Sequence, residues 1–87
     1  MPHIEKEIIV KSAQGLHARP AALFVQTAVK YDSSLTVKKD GESVNGKSIM
    51  GILMLGIQQN TVITLIVDGE DAQPLLAELE AFLNKNE

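Results

Sequence analysis

Hydrophobic and polar positions change period several times along the chain. Over 4–11, Ile4, Ile8 and Val10 fall on one side of a two-residue alternation and Glu5, Glu7 and Lys11 on the other, which predicts a half-buried strand. Lys6 interrupts the inward row and leaves the start of that strand open. The stretch SAQG, 12–15, reads as a short loop. Between Ala18 and Lys30 the period lengthens to that of a helix. Ala21, Phe24, Val25, Ala28 and Val29 share one face and Arg19, Leu23, Gln26 and Lys30 the other. Pro20 suits the first turn, where backbone N–H groups lack an intrahelical partner anyway.

Next, LTVKKDGESVNG reads as a hairpin, with Leu35 and Val37 before an Asp40-Gly41 turn and Val44 after it. Ser48 to Leu55 predicts a short helix closed by Gly56. It is apolar almost all round, so Ile52 and Leu55 are expected to face inward and Ile49, Met50 and Leu53 to stay exposed, a patch that implies a partner. Asn60 to Val67 is apolar on both faces and suits a central strand, with Asn60 as a left-handed turn residue at its entrance. Leu75, Leu76, Leu79, Phe82 and Leu83 define a last helix with Glu78 and Glu80 as its solvated face. Asp71 as N-cap brings Pro74 into its first turn. The order β, α, β, β, α, β, α predicts an α+β sandwich, a four-stranded sheet with helices on one face.

Composition narrows this reading. The 87 residues suit a single domain, 1–87, and with aromatics at only 3% its core is aliphatic. The absence of cysteine excludes disulfides and thiol chemistry. The opening MPHIEKEIIV is neither a signal peptide nor a membrane span, so a soluble, cytoplasmic protein is expected. A net charge of −3 argues against nucleic acid as a partner. His3 is expected to be a disordered terminal residue. Two histidines so far apart make a poor metal site, and no motif calls for a cofactor.

The chemistry concentrates in GLHARPAALFVQTA, 15–28. A helix N-terminus carries partial positive charge, yet His17 and Arg19 place potential cations there, which points to an anion that completes the charge balance. The helix field should keep the His17 ring neutral, leaving one nitrogen lone pair as a nucleophile. If the ring accepts a phosphoryl group, the free N–H groups of Ala18 and Arg19 and the Arg19 guanidinium can receive its charge. A helix end contributes only about 0.3–1 kcal/mol to an exposed anion, which suits reversible transfer. The competing reading is a histidine used as a polar cap, with Arg19 solvated. Ser48, after Lys47, is at its simplest an N-cap for the second helix. A phosphate there would leave the fold intact but place charge beside Ile49, Met50 and Leu53.

GLHARPAALFVQTA around His17, VNGKSIMGILMLG around Ser48 and the GED segment from Gly69 closely resemble the histidine-containing phosphocarrier (HPr) family of the phosphoenolpyruvate-dependent sugar phosphotransferase system. The resemblance covers essentially the whole chain. It implies an antiparallel sheet of strand order 1-4-2-3 and a monomer. It also implies that His17 takes a phosphoryl group on its δ nitrogen from enzyme I, with Arg19 in support, and passes it to sugar-specific IIA domains. Ser48 matches a serine phosphorylated by HPr kinase/phosphorylase in lineages that have one, which brings in a transcriptional regulator as a further partner. Leu16, Ala22, Leu23, Lys47, Ile49, Met50, Gly51 and Leu53 are the expected docking positions. Gln14 stands where members often carry Asn or Ser.

Three other readings stand beside this one. The chain could be a regulatory module acting through Ser48 and the apolar helix, an enzyme using His17 as general base, or a carrier of the nitrogen-related branch. No second catalytic group accompanies His17 for the enzyme reading, and Lys47-Ser48-Ile49-Met50 leans toward the sugar branch.

Overall fold

A computed structural model describes residues 2–85. Four strands and three helices alternate as β1 (His3–Ile9), α1 (Ala18–Ala28), β2 (Ser34–Lys39), β3 (Glu42–Asn45), α2 (Ile49–Leu55), β4 (Val62–Asp68) and α3 (Ala72–Leu83). The strands form one antiparallel sheet in the order β1-β4-β2-β3, with Ile8 opposite Ile63 and Leu35 opposite Val67. β4 is central, which explains why it is apolar on both faces: Ile63, Leu65 and Val67 are buried, while Ile66 on the open face is half-buried. No helix among the described residues is long and apolar enough to cross a membrane.

One face of the sheet is covered by the helices. Ile8, Leu35, Val37, Ile63, Leu65 and Val67 meet Ala21, Phe24 and Ala28 of α1, Ile52 and Leu55 of α2, and the leucines of α3. The turns follow their local chemistry. Asp40 and Gly41 both adopt positive φ, as a two-residue hairpin requires. Gly56 closes α2 in the left-handed conformation, and Lys39 Nζ donates to the carbonyls of Leu55 and Gly56 at that helix end. Asn60 is left-handed, at φ 70°.

Several expectations are corrected. His3 is not a disordered terminal residue. It opens β1 opposite Asp68, and its ring nitrogens bond Asp68 Oδ1 and, at 3.1 Å, Glu5 Oε2. Lys6 interrupts the inward row because it lies over α3, donating to Glu80 Oε2 at 2.7 Å. Nor are the α3 acids simply solvated: Glu78 accepts from Lys30 Nζ and from the Tyr31 hydroxyl. Asp71 is the N-cap residue and Pro74 does fall in the first turn, yet the Asp71 side chain makes no cap bond. It turns instead to the loop before β2, accepting from the N–H groups of Asp32 and Ser33 and from the Ser33 hydroxyl. Val29, assigned to the apolar face of α1, lies beyond the helix end and is exposed.

Candidate functional site

The loop that carries His17 is fixed from both sides. Gly15 adopts φ +61°, and a Cβ there would stand 2.3 Å from the Ile57 carbonyl oxygen and 2.8 Å from Gln58 Cα, so only glycine fits. Leu16 follows with its N–H on the Ile57 carbonyl at 2.9 Å and its side chain fully buried. Leu16 is therefore a core residue that anchors the loop, and its assignment to a docking surface is corrected. The turn between α2 and β4 is stitched to the same loop by Asn60 N–H to Val10 O at 2.7 Å, Val10 N–H to Thr61 O at 2.9 Å, and Gln59 Nε2 to Lys11 O at 3.1 Å.

His17 is the N-cap residue of α1, extended at φ −116° and ψ 155°, and its side chain makes no capping hydrogen bond. The polar-cap alternative is thereby removed. The ring is half-buried and borders an open cleft of about 500 Å³ lined also by Ala13, Gln14, Gln58 and Gln59. Ala18, immediately after, holds φ +49°, an uncommon conformation for a residue with a Cβ, and the stitched loop around it keeps it there. Arg19 is exposed and lines a neighbouring groove of about 220 Å³ with Ser12, Gln14, Pro20, Leu23, Phe82 and Lys85. His17 and Arg19 thus border two adjoining depressions with Gln14 common to both.

Ser48 caps α2, its Oγ accepting from Gly51 N–H at 3.1 Å. The most exposed apolar side chains of α2 are Met54, at 77%, and Met50, at 63%, with Ile49 less so and Leu23 of α1 also exposed. Leu53, expected to be exposed, is instead half-buried and packs against the core. Gly51 is half-buried too: a Cβ there would stand 3.1 Å from Val44 Cβ, so this position serves packing of α2 on β3. Lys47 turns inward, its Nζ donating to the Tyr31 carbonyl at 2.6 Å, and Ala22 is half-buried. Met54 was missed, although its i+4 spacing from Met50 places both on one helix face. Gln58 and Gln59 were missed as well, and only the fold brings their turn to His17. Among the described residues, no cluster of three or more His, Cys, Asp or Glu could hold a metal.

The site is thus an open-faced sandwich with an uncapped, solvent-bordering histidine at a helix start. The sequence profile of the PTS HPr component phosphorylation site matches residues 4–85, and the chain belongs to this family. It is 49% identical over 82 residues to the HPr-like protein Crh of Halalkalibacterium halodurans, covering 94% of this chain and 98% of that one. A crystal structure of a phosphocarrier protein HPr from Bacillus anthracis superposes with a TM-score of 0.92 at 43% identity, covering 94% and 98%. An HPr dimer from Thermoanaerobacter tengcongensis is 54% identical over 75% of each chain, with a TM-score of 0.69.

Proposed function

We propose that this protein is a cytoplasmic phosphoryl carrier in which His17 accepts a phosphoryl group from enzyme I and donates it to the IIA domains of sugar permeases. The observation that carries this reading is the His17 ring, free of any capping bond at the start of α1 and open to a cleft. On acceptance, the lone pair of Nδ1 forms a bond to phosphorus as the donor's bond to phosphorus breaks, and that electron pair stays with the donor. On donation the N–P bond breaks and its pair returns to Nδ1. The first-turn N–H groups of Ala18 and Arg19 have no intrahelical carbonyl and receive the phosphoryl oxygens. Arg19, in the adjoining groove, adds a positive charge nearby. Weak surface stabilisation, about 0.3–1 kcal/mol from the helix end, keeps the group transferable.

In this reading successive partners dock on Leu23, Ile49, Met50 and Met54, and the working unit is a monomer. Phosphorylation of Ser48 by an HPr kinase/phosphorylase is the regulatory arm. A phosphate keeps acceptor oxygens at the start of α2 while adding charge that a partner on Ile49 and Met50 must desolvate. Such a form would address a transcriptional regulator.

The similarity to a Crh protein favours a second reading, a regulatory module acting through Ser48 without histidine transfer. Reconstitution separates the two. With enzyme I, phosphoenolpyruvate and a IIA domain, the native chain is expected to phosphorylate IIA and His17→Ala to support none. A native chain that phosphorylates no IIA overturns the carrier role and leaves the regulatory one, and transfer that persists in His17→Ala overturns the assignment of His17.

A further inference from the structure

Building on the carrier reading, we propose that Gln58, on the turn between α2 and β4, is a phosphoryl-contacting residue of the His17 site. Its carboxamide N–H₂ donates to an oxygen of the phosphoryl group while that group is on the ring.

The cleft beside His17 is walled by two separate stretches of chain, 13–17 and 58–59. Their relative position is set by backbone bonds, because the turn 57–61 is tied to the loop 10–16 through Leu16, Val10 and Asn60. Gly15 lets the Gln58 backbone lie directly against that loop. Gln59 has committed its amide nitrogen to the Lys11 carbonyl. Gln58 is held instead through its backbone, N–H to Thr61 Oγ1 at 3.2 Å and carbonyl from Thr61 N–H at 3.1 Å, and the residue is exposed. Its carboxamide is therefore the donor on this wall that folding has not used.

All the cleft's lining residues other than His17 are neutral, and Arg19 lies in the next groove. A phosphoryl group arriving on His17 meets amides there, which supply directed donors without a full counter-charge. An amide contact binds the anion more weakly than a cation would, as a carrier requires.

The test measures the equilibrium constant for phosphoryl transfer between enzyme I and the chain, since docking cancels from an equilibrium and not from a rate. Loss of one neutral donor is expected to lower that constant about two- to tenfold in Gln58→Ala. Gln58→Glu, which sets a carboxylate against the phosphoryl oxygens, should fall below Gln58→Ala, and Gln58→Lys should lie above it. Thermal unfolding of each variant confirms the fold. Constants equal to native in all three variants, or lowered alike without this order of charge, overturn the assignment of Gln58. A native chain that takes no phosphoryl group at all overturns the carrier reading and the contact together.

Discussion

Gly15 shows how a single missing side chain positions the chemistry. The residue has no reactive group, yet its positive φ and the 2.3 Å separation between its hypothetical Cβ and the Ile57 carbonyl oxygen determine where the next two residues go. Gly15→Ala must therefore adopt a left-handed backbone and also push the loop away from the turn at 57–58. The expected loss of stability in urea unfolding is about 1–3 kcal/mol, accompanied by weaker phosphoryl transfer because His17 shifts with the loop. A variant as stable and as active as the native chain would contradict this account of the clamp. Single positions also mark where sequence reasoning ran short. Leu16 sits beside the histidine, but a motif records neighbours and not the direction in which a side chain points. Its N–H bond to Ile57 sends it into the core.

The ends of strands and helices carry the polar contacts that periodicity cannot show. His3 starts β1, an edge strand, with both ring nitrogens against carboxylates. A neutral imidazole can donate from only one nitrogen, so this geometry calls for the doubly protonated ring. Folding accordingly raises the pKa of His3 above its ordinary value of 6.5, through the Asp68 bond first and the Glu5 bond second. The resulting stability is complete below about 6.5 and is lost as pH rises through the higher folded-state value. Thermal unfolding of the native chain against His3→Gln should give a difference that is largest in mildly acidic buffer and vanishes at alkaline pH. A difference that grows with pH would contradict the assignment. Asp71 behaves in the opposite sense. Its carboxyl is held below the usual range by the Ser33 hydroxyl and then the Asp32 N–H, so its contribution is lost as pH falls. The His3–Asp68 contact and the contacts of Asp71 with Asp32 and Ser33 were illegible because they join positions far apart in sequence. Element types and their inward faces were legible: Ile52 and Leu55 of α2 are buried where the pattern put them, and Pro74 falls in the first turn of α3.

In the assembled protein, strand order brings together what the chain separates. The interior place of β4 was readable from the β-branched and aliphatic run Val62 to Val67, residues that suit a strand packed between neighbouring strands. The cleft was not readable, because it forms only when the turn after α2 closes onto the loop after β1, and nothing local to Gln58 or Gln59 announces that approach. Arg19 was placed beside His17 by adjacency in sequence, whereas the fold puts the two in adjoining depressions. The division leaves His17 bordered by neutral side chains, with Arg19 in the adjoining groove; under the proposed carrier role, that surrounds a phosphoryl group with amides and no full counter-charge in the same cleft. The most direct test is nitrogen–phosphorus NMR on ¹⁵N-histidine-labelled protein incubated with enzyme I and phosphoenolpyruvate. A phosphorus coupled to Nδ1 of His17 is expected, lost on acidification and missing from His17→Ala. A native chain that stays unphosphorylated, or an adduct that persists without His17, would contradict it.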